Sequence, residues 1–248
     1  MSKRITYYIP GGTTYDLYRD MAAQPHLLIA GATGSGKSVV INGILDTMLR
    51  ICSPAGAQLV LIDPKRVELA QYKAVPHTIA YASEPSQMIQ ALSGTIGIIE
   101  RRYKRMAEAG LRMSEDGDVY VIIDELADLM TTNKKQVQPL LQRICQIGRA
   151  ARVHVIAATQ CPLVSVIPTP IKVNFDARVG LRTRSAQDSR NILGVNGCEQ
   201  LPRYGQGFYM TPEGMKLYKI PYVDPAKTDE LIRCWAEQAD RKHRRQFK

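Results

Sequence analysis

The chain has 248 residues, 45% of them apolar, and 33 Lys and Arg against 23 Asp and Glu give a formal net charge of +10. That length suits one large α/β domain with a small appendage, able to bury about 70–75% of its unfolded surface without disulfides or metals. The charge favours a polyanionic partner, nucleic acid before anionic membranes or acidic proteins. Five scattered cysteines (Cys52, Cys145, Cys161, Cys198, Cys234) contain no C-x-x-C pair. They argue against a zinc site or a disulfide framework and for a reduced, cytoplasmic protein. The apolar runs fall well short of the roughly 18 residues of a membrane span, and the polar N-terminus is unlike a signal peptide.

Residues 1–24, with Ile5-Thr6-Tyr7-Tyr8-Ile9 before Pro10-Gly11-Gly12, predict a small β-hairpin lead-in. From residue 25 the chain alternates. Strands are predicted at His26–Ala30, Gln58–Asp63, Thr78–Ala82, Val119–Asp124, Val153–Thr159 and Phe175–Leu181. Helical spacing falls between them at Lys37–Ile51, Pro85–Ala109, Pro139–Ala151 and Ala186–Leu193. Such alternation implies an α/β fold with a mostly parallel central sheet flanked by helices, here over residues 25–223. After Pro221 and Pro225 one basic helix and tail, residues 224–248, is expected to end the chain.

The chemistry concentrates at strand ends. Gly31-Ala32-Thr33-Gly34-Ser35-Gly36-Lys37-Ser38 fits G-x-x-x-x-G-K-[ST] at every fixed position, between a strand and a helix. Its glycines let backbone N–H groups turn inward onto phosphate, and the helix N-terminus adds positive potential. Lys37 is expected to reach the β- and γ-phosphates of ATP and Ser38 to ligate Mg²⁺. Val119-Tyr120-Val121-Ile122-Ile123-Asp124-Glu125 delivers two carboxylates to a strand tip, where open α/β sheets bind ligands. Asp124 suits Mg²⁺ and Glu125 suits the water that attacks the γ-phosphate, which favours hydrolysis over phosphoryl transfer to an acceptor. A third buried strand ends at Gln160, placed to sense the γ-phosphate.

Several blocks resemble the FtsK/SpoIIIE motor family: Pro25-His26-Leu27-Leu28-Ile29-Ala30-Gly31, Ile62-Asp63-Pro64-Lys65, Glu100-Arg101-Arg102-Tyr103-Lys104, Asp124-Glu125-Leu126-Ala127-Asp128-Leu129-Met130, Arg149-Ala150-Ala151, Ala158-Thr159-Gln160 and Asp188-Ser189-Arg190-Asn191-Ile192-Leu193. The likeness runs over about residues 25 to 210. It implies a RecA-like P-loop ATPase domain that assembles as a hexameric ring around double-stranded DNA and moves along it by hydrolysing ATP. By the same resemblance Arg149 is the arginine that enters a neighbouring subunit's site, with Arg190 a second candidate. Lys134 and Lys135, in a loop expected ahead of a helix opening at Pro139, face the channel with Arg143 behind them and hold phosphates without reading bases. The Arg101-Arg102-Tyr103-Lys104-Arg105 run lies on a helix that the fold uses for packing or subunit contact.

The chain also departs from the family. The N-terminal membrane region, the preceding α-domain and the C-terminal winged-helix module of the segregation motors find no counterpart here. The segment Leu111–Asp118 is shorter than the usual insertion, and the family's Ala-Thr-Gln-Arg-Pro reads Ala158-Thr159-Gln160-Cys161-Pro162. Those differences favour a minimal motor. Alternatives are a HerA-like helicase or conjugative coupling-type ATPase, a type VII secretion ATPase acting on protein, and a nucleotide-dependent DNA adaptor with little turnover.

Overall fold

The computed structural model describes residues 24–162, 167–220, 222 and 224–246, with side chains described as far as residue 239. The expected N-terminal hairpin lies outside the described residues. Strands β1 (His26–Ala30), β2 (Ala57–Ile62), β3 (Thr78–Ala82), β4 (Asp118–Ile123), β5 (Val153–Thr159), β6 (Ala177–Gly180), β7 (Gln206–Thr211) and β8 (Gly214–Lys219) form one sheet in the order β3-β2-β4-β5-β1-β6-β7-β8. Every pairing from β3 to β6 is parallel, and β7 and β8 add an antiparallel edge. The helices are α1 (Lys37–Ile51), α2 (Pro85–Ala109), α3 (Leu126–Ile147), the single turn α4 (Thr169–Lys172), α5 (Ala186–Leu193) and α6 (Pro225–Gln246). The α/β fold with a mostly parallel sheet is therefore the one the alternation predicts.

Strands β1, β4 and β5 are buried at every position and mostly apolar because both faces are covered, as parallel sheets require. Successive residues alternate between two cores. Leu27, Ile29, Leu59, Leu61, Tyr120 and Ile122 pack with α1 through Ile41, Leu45, Met48 and Leu49. Leu28, Val60, Ile62, Val119, Val121 and Ile123 pack with α2 and α3 through Leu92, Ile99, Leu129, Leu141 and Ile144. The C-terminal helix α6 is anchored to the first core: Ile232, Leu231 and Trp235 pack there, and Trp235 Nε1 donates to the Leu49 carbonyl at 2.8 Å. No helix among the described residues is long and apolar enough to cross a membrane.

Two expectations need correction. The helix expected to open at Pro139 begins at Leu126, because the Glu125 side chain accepts the Ala127 N–H and caps it and because Leu126, Leu129 and Met130 continue the apolar stripe of Val137, Leu141 and Ile144. The loop expected to carry Lys134 and Lys135 is reduced to one non-helical residue, Asn133 (φ −140°, ψ 35°), so both lysines lie in the first turn after a kink. Pro139 sits inside the helix and removes one backbone hydrogen bond there. The antiparallel β7–β8 hairpin has no counterpart in the sequence reading.

The basic run on α2 divides by exposure. Arg102 is buried and donates to the carbonyls of Ala151 (2.6 Å), Arg152 (3.3 Å) and Gly117 (2.7 Å), tying α2 to the loops entering β4 and β5. Tyr103 adds a bond to the Ile147 carbonyl at 3.1 Å. Packing, not a ligand, accounts for both. Arg102→Ala strands the Ala151 and Gly117 carbonyls, while that of Arg152 keeps the Val119 N–H, and is expected to lower the unfolding free energy by about 2–4 kcal/mol. The exposed neighbour is the control: Arg101→Ala should change it by less than about 0.5 kcal/mol, both read by denaturant titration.

Candidate active site

The parallel register brings three strand tips level. Ala30 of β1 pairs with Thr159 of β5, and Ala157 of β5 pairs with Ile123 of β4. The residues following these strands, Gly31, Gln160 and Asp124-Glu125, therefore converge. Gly31 must be glycine: a Cβ there would meet Ser35 Oγ at 2.6 Å and Leu181 Cβ at 2.7 Å. Gly34 (φ 72°) and Gly36 (φ 100°) hold the left-handed conformations that curl the loop into the N-terminus of α1. Lys37 is 8% exposed, and its Nζ donates to the Gly31 carbonyl at 2.8 Å and the Ala32 carbonyl at 3.1 Å. Burial draws its pKa down to about 8 against the opposing pull of Glu125 and Asp124. An ammonium has three donors, so one can still face a phosphate. Ser35 Oγ, buried and without a partner among the described residues, is a second polar atom in the loop with bonding capacity to spare.

Glu125 is fixed by the backbone. Its carboxylate accepts the Gln160 N–H at 3.1 and 3.2 Å and the Ala127 N–H at 3.3 Å, which bridges the tips of β4 and β5. The Gln160 side chain accepts from Thr33 Oγ1 at 2.6 Å, so the third strand tip is latched to the phosphate loop. Asp124 is pushed up to about 7 by burial and by the carboxylates of Glu68, Asp63 and Glu125. A crowded, desolvated carboxylate of this kind is a site short of cations. Among the described residues no three His, Cys, Asp or Glu side chains form a metal cage. Mg²⁺ keeps waters and phosphate oxygens in its shell and so would ask few ligands of the protein, and the buried Asp124 carboxylate, crowded by other carboxylates, suits such a cation.

Beside these carboxylates stands a loop whose role the sequence did not reveal. Asp63, buried at the end of β2, accepts the N–H groups of Val67 (3.4 Å) and Leu69 (3.1 Å). It thereby shapes the turn presenting Lys65 and Glu68 to Asp124. Lys65 pairs with Asp128 at 3.3 Å and feels Glu125 and Asp124. The strand-end acid in Ile62-Asp63-Pro64-Lys65 was the available signal. A cleft of about 330 Å³ opens next to the loop, lined in part by Ala32, Thr33, Gln160, Cys161 and Arg184.

Other predicted residues lie elsewhere. Arg149 is exposed in the turn before β5, so the length of that strand, roughly 23 Å, separates it from Gln160 of its own chain. Arg190 bonds Asn196 Oδ1 (2.6 Å) and Gln187 Oε1 (2.8 Å), holding the end of α5. Lys134 and Lys135 are exposed at the kink of α3. Arg143 lies about 12 Å further along that helix and pairs with Glu100 of α2 at 3.5 Å, so it is not grouped with them.

The raised pKa of Asp124 has a stability consequence. Its folded value, about 7, exceeds the unfolded 3.8, so the folded state binds the extra proton between them and loses stability as pH rises through that window. Asp124→Asn removes the penalty. The variant should stabilise the ligand-free protein by an amount that grows from pH 4 to about pH 7 and then levels off, on the order of 2–4 kcal/mol. Thermal melts across that range check this.

Comparison with known proteins agrees with the geometry. The FtsK/SpoIIIE family profile matches residues 9–120 and 115–164. The DNA translocase FtsK of Agrobacterium fabrum is 35% identical across 86% of this chain, and that of Oceanobacillus iheyensis is 38% identical across 90%. The chain spans 29% and 33% of the lengths of those two relatives. Among solved structures, the conjugation coupling protein TcpA of pCW3 superposes with a TM-score of 0.77 at 23% identity, covering 94% of this chain and 73% of that one. The type VII secretion ATPase EccC of Thermomonospora curvata gives 0.72 at 23% identity, covering 85% and 28%. Those likenesses concern the fold. With the phosphate loop and the strand tips as described, the chain belongs to the FtsK/SpoIIIE family.

Proposed function

We propose that this chain is an ATP-dependent motor that moves along double-stranded DNA in the cytoplasm, as one subunit of a hexameric ring. The observation that carries the reading is the convergence of Lys37, Glu125 and Gln160 at adjacent strand tips beside a glycine loop. Membership of a family whose relatives are named DNA translocases, and the +10 charge, support duplex DNA as the track.

In this reading Gly31, Ala32, Thr33, Gly34, Ser35 and Gly36 wrap the phosphates of ATP with backbone N–H groups, and Lys37 spans to the γ-phosphate. Mg²⁺, when bound through Ser38 and Asp124, supplies positive charge to the phosphate oxygens. Glu125, its carboxylate held by two backbone N–H groups, takes the proton of the attacking water. Gln160, latched to Thr33, reports whether a γ-phosphate is present. Arg149 cannot serve its own site across the length of β5, so it acts on a neighbour. Lys134 and Lys135, on the exposed kink of α3, hold DNA phosphates.

Three measurements test this. Glu125→Gln should cut DNA-stimulated phosphate release by roughly 10²–10⁴-fold while ATP still binds. Arg149→Ala should cost about 10³–10⁵-fold, and mixing it with the equally inactive Lys37→Ala protein should restore activity, because each supplies what the other lacks. Replacing Lys134 and Lys135 together by Ala should reduce the slope of log K against log salt for duplex binding by about 2. Stimulation by a secreted peptide in place of duplex would instead mark a protein-translocating ATPase.

A further inference from the structure

The groups assigned to hydrolysis all lie on one side of the phosphate loop. Glu125 and Gln160 follow β4 and β5, which flank β1 on one side, whereas β6, β7 and β8 extend the sheet on the other. A triphosphate with its γ end at Glu125 and Gln160 therefore directs its nucleoside towards β6–β8. Two close approaches show what stands there. A Cβ on Gly34 would lie 3.4 Å from the Arg203 guanidinium, and one on Gly36 would lie 4.0 Å from Ile220 Cδ1. The two segments are clasped together by the Ile220 N–H, which donates to the Gly205 carbonyl at 3.0 Å. So the base of the β7–β8 hairpin borders the loop.

At that border Arg203 is exposed and stands over the Tyr204 ring, 5.2 Å from its centroid, and Tyr204 itself is 61% exposed. An aromatic ring left in water beside a phosphate-binding loop, with a guanidinium on one face, has an open surface of the kind that stacks on a base. The geometry points to Arg203 and Tyr204 as the nucleoside end of the ATP site. Tyr204 stacks on the adenine, and Arg203 keeps the ring in place and turns positive charge towards the phosphates nearest the ribose. This deepens the ATP-binding reading above and rests on it.

Calorimetric titration of the full chain with Mg²⁺, using ATP and inorganic tripolyphosphate as separate ligands, separates base from phosphate. Tyr204→Ala should weaken ATP about tenfold and leave tripolyphosphate within twofold. Tyr204→Phe, which keeps the ring, should match the unaltered protein. Arg203→Ala should weaken ATP at least threefold. The assignment is overturned if Tyr204→Ala leaves ATP affinity within twofold, if it weakens both ligands equally, or if the unaltered protein binds tripolyphosphate as tightly as ATP. An unaltered protein that binds neither ligand overturns the nucleotide site itself, a failure distinct from the loss of base recognition alone.

Discussion

Everything at the carboxyl edge of this sheet is arranged around one desolvated cation, the Lys37 ammonium. Two of its donors are committed to the Gly31 and Ala32 carbonyls, which holds the loop in its curled form and points the remaining charge outward. Burial draws the Lys37 pKa down to about 8, while burial and the neighbouring carboxylates draw that of Asp124 up to about 7. Burial thus disfavours the charged form of both groups. The site is thus electrostatically unfinished in the protein alone, with a cation and an anion each disfavoured by its surroundings. Phosphate beside the one and a divalent ion beside the other relieve both. Stability forgone at such a position is the usual accompaniment of a preorganised polar site.

Precision at that edge comes from register, not from the loop itself. With β5 paired to β1 on one side and β4 on the other, a one-residue slip would move Gln160 or Glu125 by more than 3 Å and turn it to the opposite face. Alternation into two cores forbids the slip, since Leu28, Val121 and Val155 would exchange places with Leu27, Tyr120 and Ile156. The Glu125 bridge to the Gln160 N–H and the Thr33 latch then lock three tips already level. Packing far from the chemistry sets the distances within it.

Much of this was legible because the information is local. The glycine spacing at 31–38, the largely apolar runs of β1, β4 and β5, and the acids ending β4 each follow from residues close in sequence. What escaped was non-local or misleading. Pro139 reads as a helix start, yet the stripe from Leu126 to Ile144 and the Glu125 cap outweigh one missing backbone bond. The β7–β8 hairpin was signalled by Thr211-Pro212-Glu213-Gly214, but its outer strand is exposed at five of six positions, so the periodicity that marks a half-buried strand was faint. Arg102 looked like one cation in a basic run because only the fold shows three carbonyls around it. Arg203 carries no motif at all, and its nearness to Gly34 arises from the antiparallel edge folding back on the loop.

The sheet's asymmetry joins these observations. Its parallel half ends in the groups proposed for hydrolysis, and its antiparallel half returns the chain to the opposite side of the same loop. A nucleotide lying across β1 would touch both halves, so the β7–β8 hairpin would experience whether a nucleoside is bound while Gln160 experiences whether a γ-phosphate is. Meanwhile Arg149 stands at the other end of β5, a strand buried along its full length and paired on both sides. A strand so confined does not bend, so an arginine at its foot and a glutamine at its tip keep a fixed separation. If Arg149 acts on a neighbour, each subunit is a rigid spacer between the site it holds and the site it completes. Changes in one site then shift the next through the placement of whole subunits, with no internal rearrangement of the sheet required.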